Sequence, residues 1–109
     1  MIKANLWRDD ILNVIGVEVV GHACTDEFGK DIVCAAASIL TYTLIENLLA
    51  IRQAEELPAM NLESGNTHIH IAFNSKDKFE EAAKALDTIG RGYRLLEQQY
   101  PNAVSVNFG

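Results

Sequence analysis

The chain predicts an α+β domain, a mostly antiparallel sheet of about four strands with two helices in the order β-β-α-β-α-β. Three observations carry that reading. Short β-branched or alternating runs, ILNVIGVEVV (11–20), THIHIAF (67–73) and AVSVNF (103–108), have the composition and two-residue period of strands. Two long stretches between them place apolar residues at helical steps. The length, 109 residues, fits one domain over residues 1–109 with a core of its own.

Each element has its own signal. Residues 1–8, MIKANLWR, alternate as a strand, and Asp9-Asp10 reads as the turn of a hairpin with 11–20, which runs up to Gly21. Asp31 opens a helical pattern reaching Leu57, with Pro58 as a stop. Its start, IVCAAASIL, is apolar nearly all round and should be buried, and its end, RQAEEL, is charged and should be wet. Gly65-Asn66 is a turn into 67–73. Ser75 is placed to cap a second helix over 76–100. There Phe79, Ala82, Ala83, Leu86, Ile89, Gly90, Tyr93, Leu96 and Tyr100 fall on one face. Pro101 ends it and 103–108 forms the last strand. A four-stranded sheet with two free edges invites pairing, so a homodimer is expected.

Composition limits the function classes. Nine basic against fifteen acidic residues give a net charge of −6 with no basic cluster. Nucleic-acid binding runs on Lys and Arg displacing counterions, so no direct nucleic-acid partner is expected. An acidic surface suits a basic peptide instead. No apolar stretch is read as reaching the ~20 residues of a membrane span. MIKANLWRDD lacks the apolar core of a secretory signal, so the expected address is cytoplasmic, with no membrane partner. Two cysteines in such a chain are not expected to form a disulfide framework.

The chemistry concentrates in GHACTDEFGKDIVCAAAS, residues 21–38, which brackets a polar loop with His22 and Cys34. If Asp31 caps the helix, Cys34 stands at its third position, where unpaired N–H groups and the helix dipole favour a thiolate. His22 ends a strand and is the nearest base. A Cys–His pair is the minimum equipment for nucleophilic acyl transfer, with the imidazole activating the thiol and later protonating the leaving amine. Asp31 supports two readings, helix cap or third member orienting His22. Ser38 lies one turn after Cys34, positioned to bond substrate or to bond back to its own helix. The intervening Thr25, Asp26, Glu27, Phe28, Gly29 and Lys30 form a candidate substrate-binding loop with Gly29 as hinge.

The stretch GHA, followed by GKDIVCAAxS, resembles the ribosomal-processing cysteine protease family, and GKDIVCAA stands uninterrupted. The resemblance is densest over Gly21–Ser38. It implies a bacterial cytoplasmic endopeptidase, homodimeric and without cofactor. Its implied substrate is the short N-terminal extension of a basic large-subunit ribosomal protein, number twenty-seven of that subunit, cut after apolar and aromatic residues. Carried over position by position, the nucleophile falls on Cys34 and the general base on His22, with Asp31, Ser38 and Gly21 in support. Cys24 departs from the pattern: it reads as an inert loop residue or as a thiol able to trap Cys34 in a disulfide.

Two rival readings use the same residues. His22, Cys24 and Cys34, with His68 and His70 on one strand face, supply ligand types for zinc, but the paired Cys spacing of closed sites is absent, and no metal is expected. A non-catalytic ribosome-associated binding protein would also suit the acidic charge.

Overall fold

In a computed structural model, five strands and two helices form β1 (Ile2–Asp9), β2 (Val14–Val20), α1 (Lys30–Ile51), β3 (Ala59–Glu63), β4 (Asn66–Ala72), α2 (Lys76–Gln99) and β5 (Val104–Phe108). The structure describes residues 1–21, 30–63 and 65–109, with Lys30 and Asp31 described by backbone alone. The sheet order is β3-β4-β2-β1-β5. β1, β2, β4 and β3 pair antiparallel in succession, and β5 joins β1 in parallel. The α+β class and the β1–β2 hairpin match the sequence reading, although the turn spans residues 10–13 rather than Asp9-Asp10 and β2 starts at Val14 rather than at residue 11. The expected four strands become five in a mixed sheet.

Both departures have physical causes. β3 pairs only with β4 and keeps most of its side chains exposed, so it carries no burial period to read. The parallel pairing of β5 is set by the passage of α2 over the sheet, which no local pattern encodes.

Period-two alternation turns one face of the sheet towards the helices. Leu6, Val17 and Ile69 stand side by side across β1, β2 and β4 and are fully buried. From α2 come Phe79, Ala82, Ala83, Leu86, Gly90, Tyr93 and Leu96, all expected, whereas Ile89 is half-buried and Tyr100 is exposed beyond the helix end. Gly90 admits the Phe108 ring, which lies within 2.5 Å of where a Cβ would stand. Ser75 caps α2, its hydroxyl accepting from Lys78 N at 3.4 Å.

The region of α1 corrects several expectations. It begins at Lys30, so Asp31 is its second residue rather than its cap. Its start buries Val33 and Ala37 but exposes Ile32 and Ile39. It ends at Ile51, six residues short of Leu57, because the chain turns there. Arg52 N still reaches Leu48 O at 3.1 Å, and Glu56, expected to be wet, is buried and accepts from Gln53 N at 2.6 Å and from Asn74 N at 2.5 Å. Contrary to the sequence reading, Ile32–Ile51 is long and apolar enough to cross a membrane by length and composition. In the fold Leu44, Ile45 and Leu48 on this helix belong to the core.

Candidate active site

Gly21 is fixed by its backbone. Its φ is +89°, and a Cβ would come within 2.2 Å of the Met1 carbonyl oxygen. Only glycine meets both conditions without strain. Its N–H donates to Gly65 O at 2.9 Å, tying the end of β2 to the tip of the β3–β4 hairpin, where Gly65 also has positive φ. The chain thus leaves β2 towards His22 from a rigid point.

The opposite wall is α1. Cys34, Ser38 and Tyr42 follow at four-residue steps on one face of the helix. With Gly21, Gly65 and Thr67 they enclose a cleft of ≈ 210 Å³. Cys34 is half-buried and packs against the core. It is the fifth residue of α1, about one turn or ~5 Å from the helix start. The third-position expectation therefore shifts by two residues, and the N-terminal dipole is weaker there, since it fades within the first turn. In this structure Cys34 is disulfide-bonded. The chain's other cysteine, Cys24, lies outside the described residues.

Beneath the cleft a polar bridge holds α1 to α2. Tyr93 is fully buried, and its hydroxyl bonds Thr41 Oγ1 and lies 3.0 Å from Ala37 O. Thr41 Oγ1 donates to the same carbonyl at 2.7 Å. Ala37 is three residues after Cys34, so the bridge fixes the turn that carries the sulfur. Burial pushes the Tyr93 phenol up to about 12, against the opposing effect of its bond to Thr41. Ser38 is exposed on the cleft wall and, among the described residues, makes no bond back to its helix of the kind Thr41 makes.

Of the sequence-predicted residues, the structure brings Cys34, Ser38 and Gly21 to one cleft. Lys30 and Asp31 lie in the first turn of α1. His22, Thr25, Asp26, Glu27, Phe28 and Gly29 lie outside the described residues. Sequence reasoning missed Tyr42, Thr67 and Gly65. Tyr42 had a signal, its eight-residue offset from Cys34, whereas the other two arrive through strand pairing. His68 and His70 do share a face, with ring centroids 5.8 Å apart, and His70 meets Trp7 edge-on at 5.2 Å. Among the described residues no group of three or more potential ligands could hold a metal ion.

A cleft with a cysteine on a helix wall and fixed glycines opposite can seat an extended peptide. The chain is similar to known proteins. The family model described as cysteine protease Prp matches residues 1–105. The ribosomal processing cysteine protease Prp of Staphylococcus aureus is 28% identical over 108 residues, 99% of each chain. The crystal structure of that organism's Prp in complex with a substrate peptide superposes with a TM-score of 0.72 at 27% identity, covering 100% of both chains. A second, in complex with a covalently linked product peptide, gives 0.71 at 26% identity, again over 100% of both. These matches favour a hydrolase over a non-catalytic binder. The chain, with its cysteine cleft, belongs to the Prp family of ribosomal-processing cysteine proteases.

Proposed function

We propose that this protease removes the short N-terminal extension of a basic large-subunit ribosomal protein, number twenty-seven of that subunit, cutting after apolar and aromatic residues. Cys34 is the nucleophile and His22 the general base. The thiolate attacks the scissile carbonyl, the imidazolium protonates the leaving amine, and water hydrolyses the resulting thioester. Asp31, Ser38 and Gly21 support the pair, and residues 25–30 contribute to peptide binding. The protein acts in the cytoplasm as a homodimer. The observation that carries this reading is the cleft joining Cys34 to the fixed Gly21, the residue before His22. The net charge of −6 complements a basic partner.

The mechanism needs the thiol form of Cys34, so a reductant must first open the disulfide seen here. The test is mass spectrometry of a peptide spanning the extension, incubated with wild type and Cys34→Ala, with and without dithiothreitol. Wild type with reductant should give two fragments, and both Cys34→Ala and the oxidised protein should leave the peptide whole. Cleavage by Cys34→Ala would remove Cys34 from the chemistry.

A further inference from the structure

The free edge of the sheet continues the cleft. Across the β3–β4 ladder, Leu62 stands opposite Thr67 and Met60 opposite Ile69. Cross-strand partners share a face with Cβ atoms about 5 Å apart. Thr67 lines the Cys34 cleft and Ile69 is fully buried beneath the helix layer, so Leu62 and Met60 project to that same side. One strand further out, each is 44% exposed. Two apolar side chains thus stand uncovered on the core side of the sheet, next to a residue of the cleft wall.

The dimensions match an extended substrate. From Cys34 to Tyr42 the helix wall runs eight residues, ~12 Å at ~1.5 Å per residue. An extended peptide covers that in about three to four residues at ~3.3 Å each. Tyr42, 42% exposed, stands at the far end of the helix wall. We propose that Leu62 and Met60, with Tyr42, form an apolar subsite that reads an apolar side chain of the peptide about four residues before the scissile bond. The inference rests on the protease reading above and extends it from the bond that is cut to the sequence that is chosen. A subsite on an edge strand also gives that strand's exposed apolar side chains a use.

The test pairs two peptides differing only by Leu or Ser at the fourth residue before the cut, assayed with reductant on wild type, Leu62→Gln and Met60→Gln. Wild type should prefer the Leu peptide about tenfold in kcat/KM, mostly through KM. Leu62→Gln should shrink that preference to about twofold or less, through a loss on the Leu peptide several times larger than on the Ser peptide. A preference that survives both substitutions, or an equal loss on both peptides, overturns the subsite. So does a change of sedimentation to a smaller species with the preference intact, which would assign the edge strand to a second copy. Should Leu62→Gln fail to fold, Met60→Gln decides alone. Affinities of the two peptides for Cys34→Ala, alone and with Leu62→Gln, are measured by fluorescence anisotropy. They read the subsite even if wild type cuts neither peptide, an outcome that sinks the protease reading instead. Equal affinities of the two peptides for Cys34→Ala overturn the subsite independently of cleavage.

Discussion

A single backbone angle controls one wall of the cleft. Gly21 holds φ +89° against the Met1 carbonyl, with its N–H on Gly65 O. Alanine there meets both a disfavoured conformation, costing ~1–3 kcal/mol, and a backbone clash that only movement of β1 relieves. Gly21→Ala should therefore lower unfolding free energy by ~2 kcal/mol or more in urea titration. It should also lower peptide cleavage under conditions where the variant stays folded, because His22 follows it directly. An unchanged unfolding midpoint would contradict the strain, and wild-type cleavage by a destabilised variant would contradict the positioning. The glycine was legible in the motif as the neighbour of His22, but its reason was not. The close approach of Met1 is a tertiary fact, and the sequence shows only that a small residue stands there. Cys34, Ser38 and Tyr42 were more accessible to reasoning, since a helix fixes which residues share a face. The ionisation argument for Cys34 was less so, because helix starts are set by cap geometry and shift by a residue or two.

The helix pair is pinned by one buried phenol. Tyr93 ties α2 to the Ala37 carbonyl and Thr41 hydroxyl of α1, in the turn that follows Cys34. Its position was read from the apolar step of α2, and its hydrogen bonds were not, since they depend on how the two helices meet. The close approach at Gly92, where a Cβ would lie 2.6 Å from Leu40, belongs to the same contact. The pH dependence follows with a definite sign. Burial disfavours the phenolate and pushes the folded phenol up to about 12, from the 10.0 usual for tyrosine. Its contribution is thus whole below about pH 10 and is lost as the pH rises towards about 12. Across that window the fold should lose up to ~3 kcal/mol. In Tyr93→Phe this alkaline loss should disappear, with a fall of ~1 kcal/mol at neutral pH from the missing bond. Denaturant titrations of both proteins between neutral and alkaline pH measure it. A wild type and a Phe variant that decline in parallel would refute the assignment.

At the scale of the molecule, the sheet order follows from how the connection after α1 is secured. Helical periodicity carried the sequence reading to Leu57 because RQAEEL has good helix formers and no glycine before Pro58. The helix instead ends at Ile51, and the chain folds into a clasp that lets β3 form against β4. Glu56, 5% exposed, is the centre of that clasp: one carboxylate oxygen accepts from Gln53 N and the other from Asn74 N, just before α2. Arg52 closes the turn from its other side, its guanidinium donating to the carbonyls of Gln53 and Glu56 at 3.3 and 3.4 Å. A buried carboxylate in a stretch that composition marks as solvated is a tertiary override, invisible to local pattern. It also predicts an order of stabilities. Glu56→Ala leaves two backbone N–H groups without their acceptor and should cost ~3 kcal/mol. Glu56→Gln keeps the volume and one carbonyl oxygen, loses the charge, and should cost about half as much. Thermal or urea unfolding should rank wild type above Glu56→Gln and Glu56→Ala last. Because β3 follows the clasp within three residues, hydrogen exchange in Glu56→Ala should speed up first at the amides of the β3–β4 ladder, while those between β1 and β2 keep their protection. Uniform acceleration through the sheet would mean that Glu56 supports the whole fold rather than this one connection.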